Sequence, residues 1–495
     1  MQKMLAMLLV IAMLATVVVS CGSKDNSNTD TTTSTTTADE GAKVSDTATE
    51  TTVPEETLDV TVGTYNRDFV IYQCGNWVAS DFLAEEYTGE ALNDAQYEMM
   101  ETVSEMFGIT ISSIDEGKGS AAGGQGTGYK TIETMHMSGS QDYDFASIGC
   151  YDVCTLAYTG YLSDLTEVEN IDLSKSWWDQ KAVEQLNVGG RVYYATGDAM
   201  ILDNECTYCI LFNKTVVNQY NLEDPYELVK SGKWTYDKFI EMADAIDADL
   251  NGDGQYTQED AYGVTVWLDS CAGMLHASGG AVAKFNEDGN IEVTLNSERN
   301  INVLTTWTLD NASNICYYIA SDTNDAAHQP FTSDHCLFYT RYVRAGQWFR
   351  DTDLDFGYLP YPKWDESQEE YCNTMHAYGT SWLCIPSACA DVSQSGAIME
   401  SLSYYGQKLL NPAYYEITLE GKTIRDEESS DMLDIIFETR FFDVGMFYQV
   451  GSYNSSLFAQ FKAGTTNYTS VIRASEKVAQ KQLDKITSSF EKIAG

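Results

Sequence analysis

Positive charge is what this chain most lacks. Its 495 residues carry 29 Lys and Arg against 74 Asp and Glu, a formal net charge of −45. Such a field repels nucleic acid and anionic lipid surfaces, and it disfavours anionic ligands unless an Arg cluster intervenes locally. Neutral or cationic small ligands suit it better, although surface acid is also a sufficient source of solubility. Long apolar runs are missing as well: beyond the N-terminus no stretch is long and apolar enough to cross a bilayer.

Signatures of catalysis and metal binding are equally thin. The five His residues, at 136, 276, 328, 335 and 376, show no metal-ligand spacing. "HASGG" (276–280) lacks the G-x-S-x-G elbow of a serine nucleophile. "GGQGTGYKT" (123–131) imitates a phosphate loop, but Tyr129 separates Gly128 from Lys130 and breaks the required G-K-[ST] order, so a flexible loop is expected. Cys206 and Cys209 have no second C-x-x-C to join, and in a strand such as "CTYCILF" positions i and i+3 face opposite ways, which argues against a redox or zinc pair. Acid pairs abound, so composition leaves a glycosidase open, yet no pair stands out. There is no convincing internal repeat.

What is present begins with "MQKMLAMLLVIAMLATVVVSCGS". One Lys precedes a short apolar run that ends in a small residue before Cys21, the pattern of a processed secretory signal. The "VVSC" ending resembles a bacterial lipoprotein signal, with residues 1–20 removed and Cys21 lipidated as a membrane anchor. Residues 22–57 are Ser, Thr, Asp and Glu with almost no large apolar side chains. They cannot bury enough surface to fold, and as a disordered tether they would span roughly 30–35 Å. Twelve Cys minus Cys21 leaves eleven. An odd number requires an unpaired thiol; most read as small buried hydrophobes, with room for a disulfide or two.

"DLNGDGQYTQED" (249–260) has the form of a calcium loop. Asp249, Asn251 and Asp253 supply oxygens at positions 1, 3 and 5, Gly254 makes the turn, Gln255 offers a carbonyl, Thr257 a hydroxyl, and Asp260 closes the loop in place of the longer Glu. The same residues would also build an Asx/Gly turn that needs no ion. Thr235 is placed to cap a preceding helix with apolar Phe239, Met242, Ala243 and Ile246. "YGVTVWL" after the loop reads as a strand. A calcium sensor needs a second helix there, so any ion would be a structural staple.

Upstream, "RDFVIY" (67–72), a helix capped by Asn93 and ended by Gly108, "ITISSI" (109–114), a helix near 129–138 and "YDFASIG" (143–149) spell β-α-β-α-β. That is the signature of a parallel sheet with helices on both faces. Ligands bind beyond the carboxyl ends of such strands, where "QCGNW" (73–77) and "CYDVC" (150–154) are expected as loops. Strands are also expected at "CILFNK" (209–214) and in "LDFGYLPYPKWD" (354–365). A C-terminal helix presents Ala479, Leu483, Ile486, Phe490 and Ile493 on one face.

The order of several diffuse segments then becomes informative: "YTGEALNDAQYE", "YDFASIG", "GYLSDLTEVENIDLSKSWWDQ", "GRVYYATGD", "LFNKTVVNQYNLEDPYELVKSGKWTYDKF", "NGDG" with "AYG", "GYLPYPKWDES" and "FETRFFDVG". Across residues 58–495 the chain resembles the family 1 extracellular solute-binding lipoproteins of ABC importers, the group that includes maltodextrin-binding proteins. The resemblance implies an α/β, two-lobed periplasmic-binding-protein-like fold of type II. Each lobe would be a mainly parallel sheet flanked by helices, joined to the other by hinge strands crossing near 203–214, 325–330 and 364–372. The N-lobe would comprise 58–205 plus 326–365 and the C-lobe 206–325 plus 366–495. The implied protein is a monomer and not an enzyme; it carries a mono- or oligosaccharide to permease subunits, and any calcium is peripheral. A secreted glycan-active enzyme and a calcium-dependent surface adhesion or scaffold protein are the competing readings.

A sugar cleft needs flat aromatics for C–H faces and planar polar groups for hydroxyls. Ranked by position near strand ends and crossings, the candidates are Trp77, Tyr151, Asp152, Asp198, Trp267, Asp269, Arg341, Tyr378 and Trp382. Trp177 and Trp178 are adjacent on an expected helix, so at least one of them is structural.

Overall fold

The computed structural model describes residues 56–494 apart from 64, 66, 76–80, 120–122, 288, 320–326 and 416–426. The lipoprotein signal, Cys21, most of the tether and Trp77 lie outside the described residues. In chain order the strands are β1 (Phe69–Gly75), β2 (Ile111–Lys118), β3 (Phe145–Gly149), β4 (Tyr208–Asn213), β5 (Tyr262–Val266), the hairpin β6 and β7 (Ala283–Phe285, Ile291–Val293), β8 (Cys316–Tyr318), β9 (Cys336–Tyr342), β10 (Phe356–Leu359), β11 (Asn373–Thr374), β12 (Ser381–Cys384) and β13 (Arg440–Phe441).

The first lobe is built on the sheet β12-β3-β1-β2. β1 pairs parallel with β2 and β3, and β12 closes the edge antiparallel to β3. Every residue of β3 is buried, as expected of a strand covered on both faces. Between β1 and β2 runs the helix Ala91–Phe107, which buries Met99, Val103 and Phe107 and ends at Gly108 in the left-handed region (φ 65°). Its cap is Glu90, whose carboxylate accepts the Asn93 N–H; Asn93 is the recipient of the cap and not its source. "CYDVC" is the start of the helix Cys150–Thr159, which follows β3 with no loop between.

The second lobe is built on the sheet β10-β4-β9-β5-β8. β5 runs parallel to β9 and β8, whereas β4 runs antiparallel to β9 and β10. These pairings correct the expected lobe boundaries. β9 and β10, assigned from sequence to the first lobe, are strands of the second, and β12, assigned to the second, is the edge of the first. The cause is that the chain returns later than expected: the two crossings meet at an antiparallel bridge between Thr207 and Met375, reinforced by the His376 N–H donating to the Cys206 carbonyl at 2.9 Å.

The C-terminal helix Tyr468–Ala494 buries Ala479, Leu483, Ile486 and Phe490 and straddles both lobes. Phe490 packs on Tyr193 of the first lobe at 5.4 Å, and Lys485 lies over the Tyr158 ring. Trp177 and Trp178 are not helical; they lie in a turn before the helix Gln180–Gln185. Both indole N–H groups donate to Glu400, at 3.0 and 2.9 Å, and burial pushes that carboxyl up to about 7. All eleven described cysteines are free thiols, ten of them buried, so no disulfide joins them. No described helix is long and apolar enough to cross a membrane.

Candidate functional site

β5 and β9 are parallel, so their carboxyl ends emerge together. Trp267 and Asp269 follow β5, and Arg341 sits at the end of β9. From the first lobe the end of β3 contributes Tyr151, in the first turn of its helix, and the returning crossing contributes His376 and Tyr378. Together they line a crevice of about 360 Å³ between the lobes, completed by Tyr342 and by Asn454, Ser455 and Phe458 on the helix Tyr453–Lys462. This is the position a parallel sheet prescribes for ligands.

Asp269 organises the floor. It is the N-cap of the helix Ser270–Ala277, where an Asp side chain ordinarily accepts a backbone N–H, yet it makes no capping bond. Its carboxylate turns to His376 Nε2 at 3.1 Å and to Arg341 at 3.7 Å. Burial alone would raise the Asp269 carboxyl; the His376 hydrogen bond and the Arg341 charge overcome that and hold it below its usual value. His376 Nδ1 accepts the Gly379 N–H at 2.9 Å. A backbone N–H can only donate, so the ring proton is on Nε2 and points at Asp269. Arg341 is 2% exposed and lies over the rings of Tyr342, Trp267 and Trp348 at 4.9, 5.0 and 5.6 Å, a cation–π setting that suits a weakly hydrated guanidinium. The floor is therefore rigid and its charges largely cancel. The walls are aromatic: Trp267 stacks on Tyr318, and Tyr151 meets Tyr378 at 6.0 Å while accepting the Asn454 Nδ2–H.

Five of the sequence candidates thus converge: Tyr151, Trp267, Asp269, Arg341 and Tyr378. Three others do not. Asp152 points away, accepting the backbone N–H groups of Gly126 and Tyr129 at 2.9 and 3.1 Å. It caps the helix Thr127–Ser138, whose own Gly126 cap has no side chain to do so. The N-terminus that a phosphate would use in "GGQGTGYKT" is filled by the protein's own carboxylate. Trp382 is fully buried in β12 and bonds Thr380; it is core. Asp198 accepts from Asn411 and Gln407 at 2.7 and 2.9 Å, and burial pushes its carboxyl up to about 7.

Asp198 lies instead in a separate cavity of about 420 Å³. There Arg440 pairs with Asp179 at 2.9 Å and Asp203 at 3.5 Å and donates to Asn204. Burial raises Asp203 to about 6 despite Arg440. This cavity lacks the aromatic walls of Tyr151, Trp267 and Tyr378 that line the crevice.

The calcium-like loop is held by its own hydrogen bonds. Asp249 accepts the N–H groups of Gly252 and Gly254, both at 2.7 Å. Asn251 accepts from Asp253, and Asp253 from Gln255. Asp260 accepts the N–H groups of Leu250 and Thr257 and the Thr257 hydroxyl. No three acidic, His or Cys side chains converge to grip a metal, here or elsewhere among the described residues. Tyr342, His376, Asn454, Ser455 and Phe458 were not expected in the site.

Comparison with known proteins agrees with this architecture. The family model described as bacterial extracellular solute-binding protein matches residues 122–408, more than half of the chain, and the chain belongs to that family. No curated protein sequence matches it. Among solved structures it is similar to the ABC substrate-binding protein Lmo0181 of Listeria monocytogenes in complex with cycloalternan, at 14% identity and a TM-score of 0.54, covering 85% of this chain and 100% of that one. The maltose/maltodextrin-binding domain MalE of Bdellovibrio bacteriovorus, bound to maltotriose, gives 15% and 0.54 with 84% and 100% covered. UgpB of Mycobacterium tuberculosis, in complex with glycerophosphocholine, gives 15% and 0.57 with 86% and 99% covered. The fold is therefore the two-lobed solute-binding fold, and the protein is an extracellular solute-binding protein.

Proposed function

We propose that this protein is the receptor of an ABC importer and captures a neutral sugar in the interlobe crevice for delivery to permease subunits. The observation that carries this reading is the pairing of aromatic walls, Trp267, Tyr151 and Tyr378, with the fixed floor of Asp269, Arg341 and His376. Aromatic faces suit the C–H faces of a sugar ring, and planar polar groups suit its hydroxyls. Arg341 does not turn the site toward anions, because Asp269 offsets its charge and the chain as a whole carries −45. The sugars bound to two of the structural relatives support the same class. Anchorage through a lipidated Cys21 and action as a monomer complete the proposal.

Binding without turnover is favoured by the crevice lining. Among the described residues Asp269 is its one carboxylate, and it is committed to His376 and Arg341, whereas glycoside hydrolysis ordinarily uses two carboxylates across the scissile bond. The test is a thermal-shift screen against neutral mono- and oligosaccharides, with chromatography of the sugar afterwards. A sugar-specific rise with the sugar recovered intact supports the receptor. Shortened products would establish an enzyme. No rise with any sugar would turn attention to other polar solutes.

A further inference from the structure

The crevice has a neighbour. Tyr151 and Ser455 also line a second chamber of about 300 Å³, whose other walls include Tyr158 of the first lobe and Gln449 and Ser452 of the second. Each chamber alone is at the small end of the roughly 300–1,000 Å³ typical of small-molecule sites; a ligand using both would fall well inside that range. Their chemistry differs. The first chamber presents aromatic rings over a charged floor. The second adds amide and hydroxyl side chains at Gln449 and Ser452.

The backbone beside the second chamber is strained. Gln449 and Ser452 hold φ of 49° and 54°, with Gly451 at 58° between them. The other described non-glycine residues with positive φ are Asn170, Asn221 and Asp334, types that tolerate the left-handed region; Gln and Ser do so poorly. Strain of this kind persists where the surroundings impose it, and it gathers at ligand clamps. Here it shapes the turn from which Gln449 reaches across to accept the Gly123 N–H of the first lobe at 3.0 Å. It also starts the helix Tyr453–Lys462 with no side-chain cap, setting Asn454 and Ser455 beside Tyr151 where the two chambers share a wall.

Resting on the sugar-receptor reading, we infer that the ligand is a neutral oligosaccharide of at least two rings. One ring lies in the aromatic crevice and the next in the chamber walled by Tyr158, Gln449 and Ser452, with Tyr151 and Ser455 at the seam. A monosaccharide fills only the first chamber.

The experiment is calorimetric titration of the full chain with glucose and with its α-1,4- and β-1,4-linked di-, tri- and tetrasaccharides. Affinity is expected to rise about tenfold or more from one ring to two in the series that binds. Gln449→Gly, which relieves the strained backbone, and Tyr158→Ala should each flatten that rise while leaving monosaccharide affinity within about twofold; Tyr158→Ala should also lower the melting temperature, because Lys485 and Tyr448 pack on its ring. A rise that persists in both variants, or a monosaccharide that binds as tightly as its oligomers, would overturn the inference while leaving the receptor reading intact. If no sugar of any length binds, the receptor reading fails and this inference fails with it.

Discussion

Asp260 and Asp269 stand nine residues apart, each is hidden from solvent, and each is held below the usual carboxylate range. Asp260 spends its bonds on Leu250 and Thr257, within its own loop; the loop covers it, but little other protein surrounds it. Asp269 forgoes its own helix N-terminus and reaches Arg341 and His376, far along the chain. The first is a local device whose residues account for one another. The second breaks a local capping rule in favour of distant partners, as residues at functional sites tend to do. A motif that can be recognised in twelve letters is self-contained for the same reason that it is recognisable.

The largest expected effect is on Asp269. Asp269→Asn leaves the Arg341 charge buried without its partner, a loss of about 3–5 kcal/mol in unfolding free energy by chemical denaturation, together with loss of ligand binding. Next is Trp267→Ala, which removes an aromatic wall and leaves the floor in place. Its ligand affinity should fall by roughly a hundredfold, about 3 kcal/mol, and the melting temperature should fall less than in Asp269→Asn, since the ring also packs on Tyr318 and under Arg341. If Trp267→Ala binds like the parent, the crevice is not where the solute sits.

pH separates the two classes of carboxyl. Asp81, Asp198 and Glu400 are raised by burial to about 7, and Asp203 to about 6, from ordinary values of 3.8 or 4.5. The folded state holds these protons more tightly than the unfolded one, so their contribution is full below about pH 4 and is lost as pH rises to about 7. Asp260 and Asp269 are lowered, so theirs is present above about pH 4 and lost as pH falls below it. The melting temperature should therefore be higher at pH 5 than at pH 8 and should drop again in strong acid. A maximum above pH 7 would contradict these assignments.

The smallest effects belong to the loop. Asp260→Ala should lower the melting temperature without changing ligand affinity. Exchanging calcium for a chelator should lower the melting temperature with little change in ligand affinity, because an ion held by the folded loop would stabilise the folded state alone. An unchanged transition with and without calcium would remove the ion as a staple.

How legible the molecule was in its sequence follows the same division. The β-α-β-α-β start was readable because apolar alternation and helical spacing are local, and its strands fell within a few residues of the expected places. The lobe assignment of β9, β10 and β12 was not, because it depends on which strand each pairs with, and pairing is decided by residues far apart. Tyr151, Trp267, Asp269, Arg341 and Tyr378 could be nominated because they stand beside strand ends or a crossing. Asp152 and Trp382 share that sequence context and differ only in which way the side chain turns. His376 was in view within "HAYGTSW" but was weighed only as a metal ligand. Asn454, Ser455 and Phe458 left no signal, since the turn that delivers their helix is set by tertiary strain at Gln449 and Ser452.

The central claim is that the crevice, and not the loop, holds the solute. It is tested most directly by titrating one binding sugar calorimetrically into the parent, Trp267→Ala and Asp260→Ala proteins side by side. The account predicts that binding collapses in Trp267→Ala and is unchanged in Asp260→Ala. Full binding by Trp267→Ala, or its loss in Asp260→Ala with the fold intact, would contradict it.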